Sequence, residues 1–307
     1  MAEQPEHATR PAIHLSVIVS SRCRNTGGLC CTIGPGVYTG LAAGLMFARG
    51  EVMGVNASAL PVRRGARLYV ELAAGPQAVR QAQALRYRVF GEELGARLKH
   101  GATALDADAF DAHCHHLLVR DTRTDSVVGC TRLLNGDTAR RIGGFYSENE
   151  FDLGAVCALP GKLLEVGRTC ISADCRQGAA IAVLWSGIAG YIQLHNIDYL
   201  FGCASVPLGE GDVQAAAIMN RIRRQAMAAP TLRVTPKLPL LRTDVPETVL
   251  DAPLPALLKA YVRLGARACG EACRDPDFNV GDILMLLDLG ELNPTYARHF
   301  LERVSEH

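Results

Sequence analysis

The chain has 307 residues, of which 49% are hydrophobic and 21% charged, and its formal net charge is +1. A chain of this length can bury one large core or two modest ones, and its near-neutral charge excludes bulk electrostatic capture of nucleic acid or membrane. The 11 cysteines are odd in number and lack CxxC spacing, so they are interpreted as core thiols in a reducing cytoplasm rather than a disulfide or zinc framework.

Residues 1–66 differ from the rest of the chain. Pro, Gly and Ser are frequent there, and helical or strand periodicity is poor. The uncharged run 27–48 is about long enough to span a bilayer, although its glycines and Pro35 weaken that interpretation. We therefore interpret residues 1–66 as a flexible or spuriously included leader, with a signal or membrane anchor as the alternative.

Residues 67–307 have firm periodicity and predict one α+β domain with a C-terminal extension. Short apolar runs indicate the strands, and apolar residues spaced three and four apart indicate the helices. Ser147 is expected to cap a short helix. In chain order the predicted elements are strand 68–73, helix 77–94, hairpin strands 116–121 and 127–134, strand 163–171, helix 179–194, strand 197–204, helix 211–227, helix 256–269 and strand 282–288.

Two groups of residues have metal-ligand chemistry, but neither predicts a metal site. His113, His115 and His116 lie close in sequence, yet adjacent strand residues point to opposite faces and no carboxylate pattern completes a site. Cys269 and Cys273 have the i, i+4 spacing that would place two thiols on one face of a helix, but a zinc site needs more ligands. We therefore predict no metal.

The run 163–171 is an apolar strand interrupted by Glu165 and Arg168. Burying charges without partners costs several kcal/mol or more, so the two side chains either brace the sheet as an internal pair or face a polar cleft. We favour the cleft. Arg176, Gln177 and Gly178 then form a turn before an apolar helix, where unpaired amides and the helix dipole favour an anion and Gly178 can adopt a positive φ.

The order strand, helix, hairpin, strand, Arg/Gln-Gly turn, helix and strand resembles the GNAT acyltransferase superfamily. More narrowly, Arg86 and Phe90, Asp106 and Asp108, Arg132, and Glu165 with Arg168 resemble the signature of acyl-homoserine lactone synthases. From about residue 67 to the end, the chain is similar to the bacterial ornithine N-acyltransferases of ornithine-lipid synthesis, a hemolysin-like acyltransferase family. Runs 143–148, 184–189, 200–205, 264–267 and 275–278 carry this similarity.

The resemblance implies a GNAT-like, mixed and mostly antiparallel sheet flanked by helices. It also implies transfer of a 3-hydroxyacyl group from acyl carrier protein to the α-amine of L-ornithine, which forms lyso-ornithine lipid. Two alternatives stay open: the same transfer to another amino acid such as glycine or lysine, and a membrane-active, hemolysin-like protein. The second is disfavoured because no credible amphipathic or spanning segment follows residue 66.

The residue roles are expectations that follow from the resemblance and from simple chemistry. A carboxylate in a partly desolvated cleft can deprotonate an amine, and a guanidinium can hold a carboxylate with two hydrogen bonds. No permanently bound cofactor is expected, because the phosphopantetheine arm of acyl carrier protein supplies the acyl group. The expected roles are Glu165 as base and Arg168 as catalytic or carboxylate-binding residue; Asp106, Asp108, Arg132, Arg86 and Phe90 as substrate-binding residues; and Arg176, Gln177 and Gly178 as the pantetheine-binding turn.

The expected partner, acyl carrier protein, is acidic as a class and should dock on a basic surface. Arg86 with Arg88, or Arg221 with Arg223 and Arg224, are the candidate surfaces. A cytoplasmic location with peripheral contact to the inner membrane suits the lipid product. No nucleic-acid partner is expected.

Overall fold

The structure is a computed structural model that describes residues 67–98, 103–176, 178–240 and 252–292. The predicted leader, Gln177 and residues 293–307 lie outside the described residues. The strands are β1 (Leu68–Leu72), β2 (His115–Asp121), β3 (Val127–Asn135), β4 (Phe151–Asp152), β5 (Leu163–Ile171), β6 (Tyr199–Pro207), β7 (Thr235–Pro236), β8 (Arg267–Ala268), β9 (Cys273–Asp275) and β10 (Val280–Asp288). The helices are α1 (Pro76–Arg86), α2 (Gly136–Ile142), α3 (Gly154–Cys157), α4 (Ala179–His195), α5 (Val213–Gln225) and α6 (Ala256–Leu264).

One large sheet organises the domain. Its strand order is β1-β2-β3-β5-β6-β10-β8, and β9 also pairs with β10. All of these pairs are antiparallel except β5 with β6. The predicted mixed, mostly antiparallel sheet flanked by helices is therefore confirmed.

Successive strand residues point to opposite sides of the sheet, and helices pack against the apolar residues on both sides. We call the side packed by α1 and α2 the front face; its core includes Cys130, Leu134 and Leu284. The back face is packed by α4, α5 and α6 and includes Leu133, Leu200 and Met285. The back-face core is one cluster, whereas the front-face core consists of two clusters, one that includes residues of α1 and one that includes Ala139 of α2.

The parallel pair β5 and β6 separates after a short contact. The two strands pair only from Leu163 to Glu165 against Tyr199 to Phe201, although both strands continue further. Gly202 stands where they diverge, and a Cβ there would lie 2.2 Å from the Val166 carbonyl oxygen. We call the resulting gap between the strands the wedge.

Strand β5 also contains a bulge beside the wedge. Cys130 pairs with Cys170 and Arg132 with Gly167, so three steps along β5 match two steps along β3. Arg168 sits in the bulge with φ of 51°, a conformation that is uncommon for a non-glycine residue. The inserted residue turns the Arg168 side chain to the face that Glu165 occupies.

Two of the predicted helices differ in detail from the structure. The first helix ends at Arg86 and continues as a π-helix over Tyr87–Glu93. The predicted helix 256–269 stops at Leu264, because Gly265 takes a left-handed conformation with φ of 110° and satisfies the helix end. Cys269 and Cys273 consequently lie outside any helix, and Cys273 belongs to β9.

Within the described residues, no helix is both long enough and apolar enough to cross a membrane. This includes α4, the most apolar helix of the predicted set, which has 17 residues. A bilayer span needs about 20 apolar residues.

Candidate active site

A polar cleft of about 600 Å³ opens on the front face at the wedge. We call it the front cleft. Glu165, Arg168, Arg132 and Phe90 line it, so four of the predicted site residues come together there. The prediction that the charged run of β5 faces a polar cleft agrees with this geometry.

Glu165 is buried in the front cleft, with 4% of its surface exposed. Its Oε1 accepts hydrogen bonds from the Ser147 amide at 2.7 Å and the Ser147 hydroxyl at 2.6 Å, and its Oε2 accepts one from the Tyr146 amide at 2.9 Å. Burial raises the pKa of Glu165, although these three hydrogen bonds oppose the shift. Ser147 therefore does not cap a helix with its side chain; it holds Glu165.

Arg168 reaches the same cleft but does not pair with Glu165. Its Nη2 donates to the Tyr146 hydroxyl at 3.1 Å, and its Nε lies 3.3 Å from an Asp106 oxygen without hydrogen-bond geometry. Its guanidinium carbon is 4.7 Å from the Tyr146 ring centroid and 4.8 Å from that of Phe278, within the range of cation–π attraction. The internal-pair alternative for Glu165 and Arg168 is therefore wrong.

A buried ionic network lies behind the cleft. Arg86, only 1% exposed, donates to Asp106 at 2.9 Å and to Asp111 at 2.7 Å. Arg132 Nη1 donates to Asp108 at 2.6 Å and to Asp111 at 3.0 Å. Such pairs stabilise only while each charge keeps its partners, so this network ties the loop over 106–111 to α1 and β3.

The network corrects the predictions for Arg86 and Asp106. Arg86 was expected to bind substrate and was a candidate for the carrier-protein surface, but its guanidinium is buried, is fully engaged by aspartates and does not line the front cleft. Asp106 was expected to hold a substrate amine, but it is 5% exposed and is paired with Arg86. Neither it nor Asp108 is among the residues that line the front cleft. Asp111, which the sequence did not single out, is the acid that joins Arg86 and Arg132.

The predicted pantetheine turn also differs from expectation in one respect. Arg176 is buried, donates from Nε to the Ile171 carbonyl at 3.0 Å, and forms a two-pronged ion pair with Glu93 of the π-helix. Its side chain is therefore a brace and not a free cation. Gly178 has the predicted positive φ, 98°, and no atom lies within 4 Å of the position that a Cβ would take there. Gln177 lies outside the described residues.

Three further acids line the front cleft: Glu150, Asp275 and Asp282, which we call the acidic trio. One oxygen from each lies within 4.8 Å of the others. Asp282 is 4% exposed and accepts a hydrogen bond from the Ser205 hydroxyl at 2.6 Å. Burial raises the pKa of Asp282 and of Glu150, and for Glu150 the nearby Asp282 charge adds to the effect.

A second, apolar cleft of about 490 Å³ opens on the back face of the wedge. We call it the back cleft. Its walls include Trp185 of α4 and Tyr261 of α6, whose rings meet edge to face at 5.7 Å. Val166 and Cys203 line both clefts, so a polar chamber and an apolar chamber adjoin across the gap between β5 and β6.

Comparisons with known proteins identify the family. A family model described as an acetyltransferase (GNAT) domain matches residues 85–186. The chain is 37% identical over 253 residues to the L-ornithine N(alpha)-acyltransferase of Rhizobium meliloti, covering 77% of this chain and 85% of the relative. It is 35% identical over 249 residues to the protein of that name from Rhodobacter capsulatus, covering 76% and 95%. The chain belongs to the L-ornithine N(alpha)-acyltransferase family.

This protein is therefore an N-acyltransferase with a GNAT-type fold, as predicted. Among solved structures, it resembles FeeM, an N-acyl amino acid synthase from uncultured soil microbes, with a TM-score of 0.44 and 16% identity, covering 73% of this chain and 92% of that one.

Sequence reasoning missed several residues of this acyltransferase's cleft. Tyr146 lies between two cations, with its ring centroid 5.1 Å from the Arg132 guanidinium and 4.7 Å from that of Arg168. Asp282 offered a signal, since it opens the apolar run of a central strand. Asp275 also offered one, since it lies in the run 275–278 that carries the family similarity. Glu150 offered none, because a single acid in a polar loop is ordinarily solvated.

Proposed function

We propose that this acyltransferase transfers a 3-hydroxyacyl group from acyl carrier protein to the α-amine of L-ornithine and so forms lyso-ornithine lipid. The observation that carries the proposal is the pair of clefts that adjoin at the wedge. An amino acid is polar and cationic, whereas an acyl chain is apolar, and the two chambers differ in the same way.

The acceptor would occupy the front cleft. Glu165 takes a proton from the α-ammonium, directly or through a water molecule, and leaves a neutral amine. Glu165 keeps one lone-pair position on Oε2, because that oxygen accepts only the Tyr146 amide. Arg168 faces the same space and holds the acceptor's carboxylate.

The donor would pass its thioester through the wedge with its acyl chain in the back cleft. The amine nitrogen attacks the thioester carbonyl carbon and a C–N bond forms. As the C–S bond breaks, the nitrogen loses its extra proton, and the pantetheine thiolate takes up that proton and leaves as the free thiol. Backbone N–H groups of β5 at the wedge stabilise the developing oxyanion. The phosphopantetheine arm reaches this point along the turn at Gly178, whose amides open α4.

The carrier protein would dock on a basic surface. With Arg86 buried, the remaining candidates are Arg88 and Arg224, which are exposed, Arg223, which is exposed and paired with Glu271, and Arg221, which is half-buried. A cytoplasmic location with peripheral contact to the inner membrane suits an amphiphilic product.

The test incubates the purified full-length chain with 3-hydroxyacyl carrier protein and L-ornithine. Free carrier thiol and a product with the mass of lyso-ornithine lipid are expected to appear in equal amounts. Glycine and lysine in parallel reactions test the alternative acceptors. Failure to acylate any amino acid would refute the proposed function, and a preference for glycine or lysine would change only the acceptor.

A further inference from the structure

We propose that the acidic trio, Glu150, Asp275 and Asp282, binds the side-chain ammonium of the acceptor and makes the enzyme selective for an amino acid with a second amine. This inference rests on the proposed function and deepens it. It assigns a role to the three acids, which the chemistry at Glu165 and Arg168 leaves unused.

Asp282 of the trio differs from the other buried aspartates in how its charge is compensated. Asp106 and Asp111 pair with Arg86, Asp121 with Arg67, and Asp212 with Arg274. No ion pair within 4.0 Å engages the trio in the described part of the chain. Asp282, which is 4% exposed, accepts from the Ser205 hydroxyl, and Arg168 on the same cleft is the cation whose charge acts on it. Three carboxyls that share one partly buried site are costly to ionise together, so a ligand that brings a positive charge is favoured there.

The dimensions of the trio suit an ammonium group. An ammonium has three donors in tetrahedral directions, and oxygens at about 2.8 Å from its nitrogen would lie about 4.6 Å from one another. The three acidic oxygens lie within 4.8 Å of each other. A single ammonium can therefore donate to all three carboxyls.

The rest of the front cleft suits the other end of the same molecule. Arg168 lines the cleft, where its Nη2 donates to the Tyr146 hydroxyl, while its buried Nε lies 3.3 Å from Asp106. Glu165 lies three residues away on the same strand. The cleft thus offers a cation for a carboxylate, a base for an α-amine and a separate acidic patch for a second amine.

The experiment compares two acceptors that differ only in the second amine: ornithine and norvaline, which has the same carbon skeleton without it. Initial rates are measured with one 3-hydroxyacyl carrier protein for wild type, D282N, E150Q and the control D288N. Asp288 ends the strand that carries Asp282, and its carboxylate caps the Gly290 amide at 2.8 Å.

In the wild type, kcat/KM for ornithine is expected to exceed that for norvaline by about 10²–10⁴-fold, because an unoccupied acidic patch penalises the analogue. D282N and E150Q should lose most of this preference, with a higher KM for ornithine and a norvaline rate at or above that of the wild type, because the penalty on the analogue is relieved. The norvaline rate also shows that each variant is folded. D288N should retain the wild-type preference.

Three results would overturn the inference. Equal use of norvaline and ornithine by the wild type would show that no second-amine site exists. Equal loss of both activities in D282N and E150Q would show that the trio serves the fold or the chemistry. Loss of ornithine turnover with EDTA and its recovery with Mg²⁺ would show that the trio holds a metal ion. If neither acceptor reacts in any form, the proposed function itself fails.

Discussion

Replacing Glu165 with glutamine separates its proposed role as a base from its role as a brace. The carboxylate accepts three hydrogen bonds, two on Oε1 from Ser147 and one on Oε2 from the Tyr146 amide. The glutamine carbonyl oxygen can replace Oε1 and keep both Ser147 bonds. Its amide group then replaces Oε2 and points a donor at the Tyr146 N–H.

One buried N–H without an acceptor costs about 1–3 kcal/mol, out of a total stability of roughly 5–15 kcal/mol. Glu165→Gln should therefore remain folded at 25 °C, with a melting temperature about 2–12 °C below that of the wild type. Loss of a general base should lower kcat by about 10²–10⁴-fold. Unfolding of the variant therefore cannot explain the expected loss of activity, because nearly all of its molecules stay folded at 25 °C.

Ser147→Ala is the matched control, because it removes one donor to Oε1 and leaves the carboxylate in place. It should lower the melting temperature by a similar amount while kcat stays close to the wild-type value. Both variants are assayed by carrier-thiol release per folded molecule, with folding followed by circular dichroism. Burial raises the pKa of Glu165, and a base acts only when deprotonated, so wild-type kcat should rise with pH through that raised pKa. Unchanged kcat in Glu165→Gln, or equal losses in both variants, would refute the assignment of Glu165 as base.

Three other predictions test the surroundings of the site. Tyr261→Ala enlarges the back cleft and should shift the donor preference towards longer acyl chains. The preference is measured by mass spectrometry of the products formed from a mixture of carrier-bound chains. An unchanged product distribution would show that the acyl chain does not bind in this cleft. Arg86→Ala strands two buried aspartates and should cost about 3–5 kcal/mol in urea unfolding, whereas the exposed Arg88→Ala should cost less than about 0.5 kcal/mol; wild-type stability of Arg86→Ala would contradict the buried network. Since the pKa values of Glu150 and Asp282 are raised, the folded state binds more protons than the unfolded state, so substrate-free stability should fall as pH rises above the usual carboxyl range of about 4. Asp282→Asn should flatten this fall in melting temperature, and an equally steep fall would contradict the pKa shift.

The sequence predicted the fold well, because its strands and helices have strong periodicity and are joined by short turns. The hairpin of β2 and β3, strand β5 and helix α4 all lie within a residue or so of their expected bounds. The errors fall at element ends, where a local conformation decides the outcome: Gly265 stops α6 early, and a π-helix replaces the last turns of α1.

The site was less predictable, because tertiary pairing decides which charges face the cleft. Acids of the loop over 106–111 resemble substrate ligands in sequence, yet Arg86 neutralises Asp106 and Asp111 inside the protein. The acids of the trio come from a loop, from β9 and from β10, more than a hundred residues apart in the case of Glu150 and Asp282. Nothing in local periodicity brings them together.

The bulge in β5 explains why the central run of the sequence looked anomalous. Glu165 and Arg168 are three positions apart, and side chains at an odd separation in a regular strand point to opposite faces. One inserted residue reverses this, and Arg168 takes φ of 51° to do so, a strain of about 1–3 kcal/mol. Contacts with the rings of Tyr146 and Phe278 and with Asp106 offset the strain. Strain of this kind persists only where the surroundings hold it, so the aromatic contacts are as necessary to the shared cleft as the two charged residues themselves.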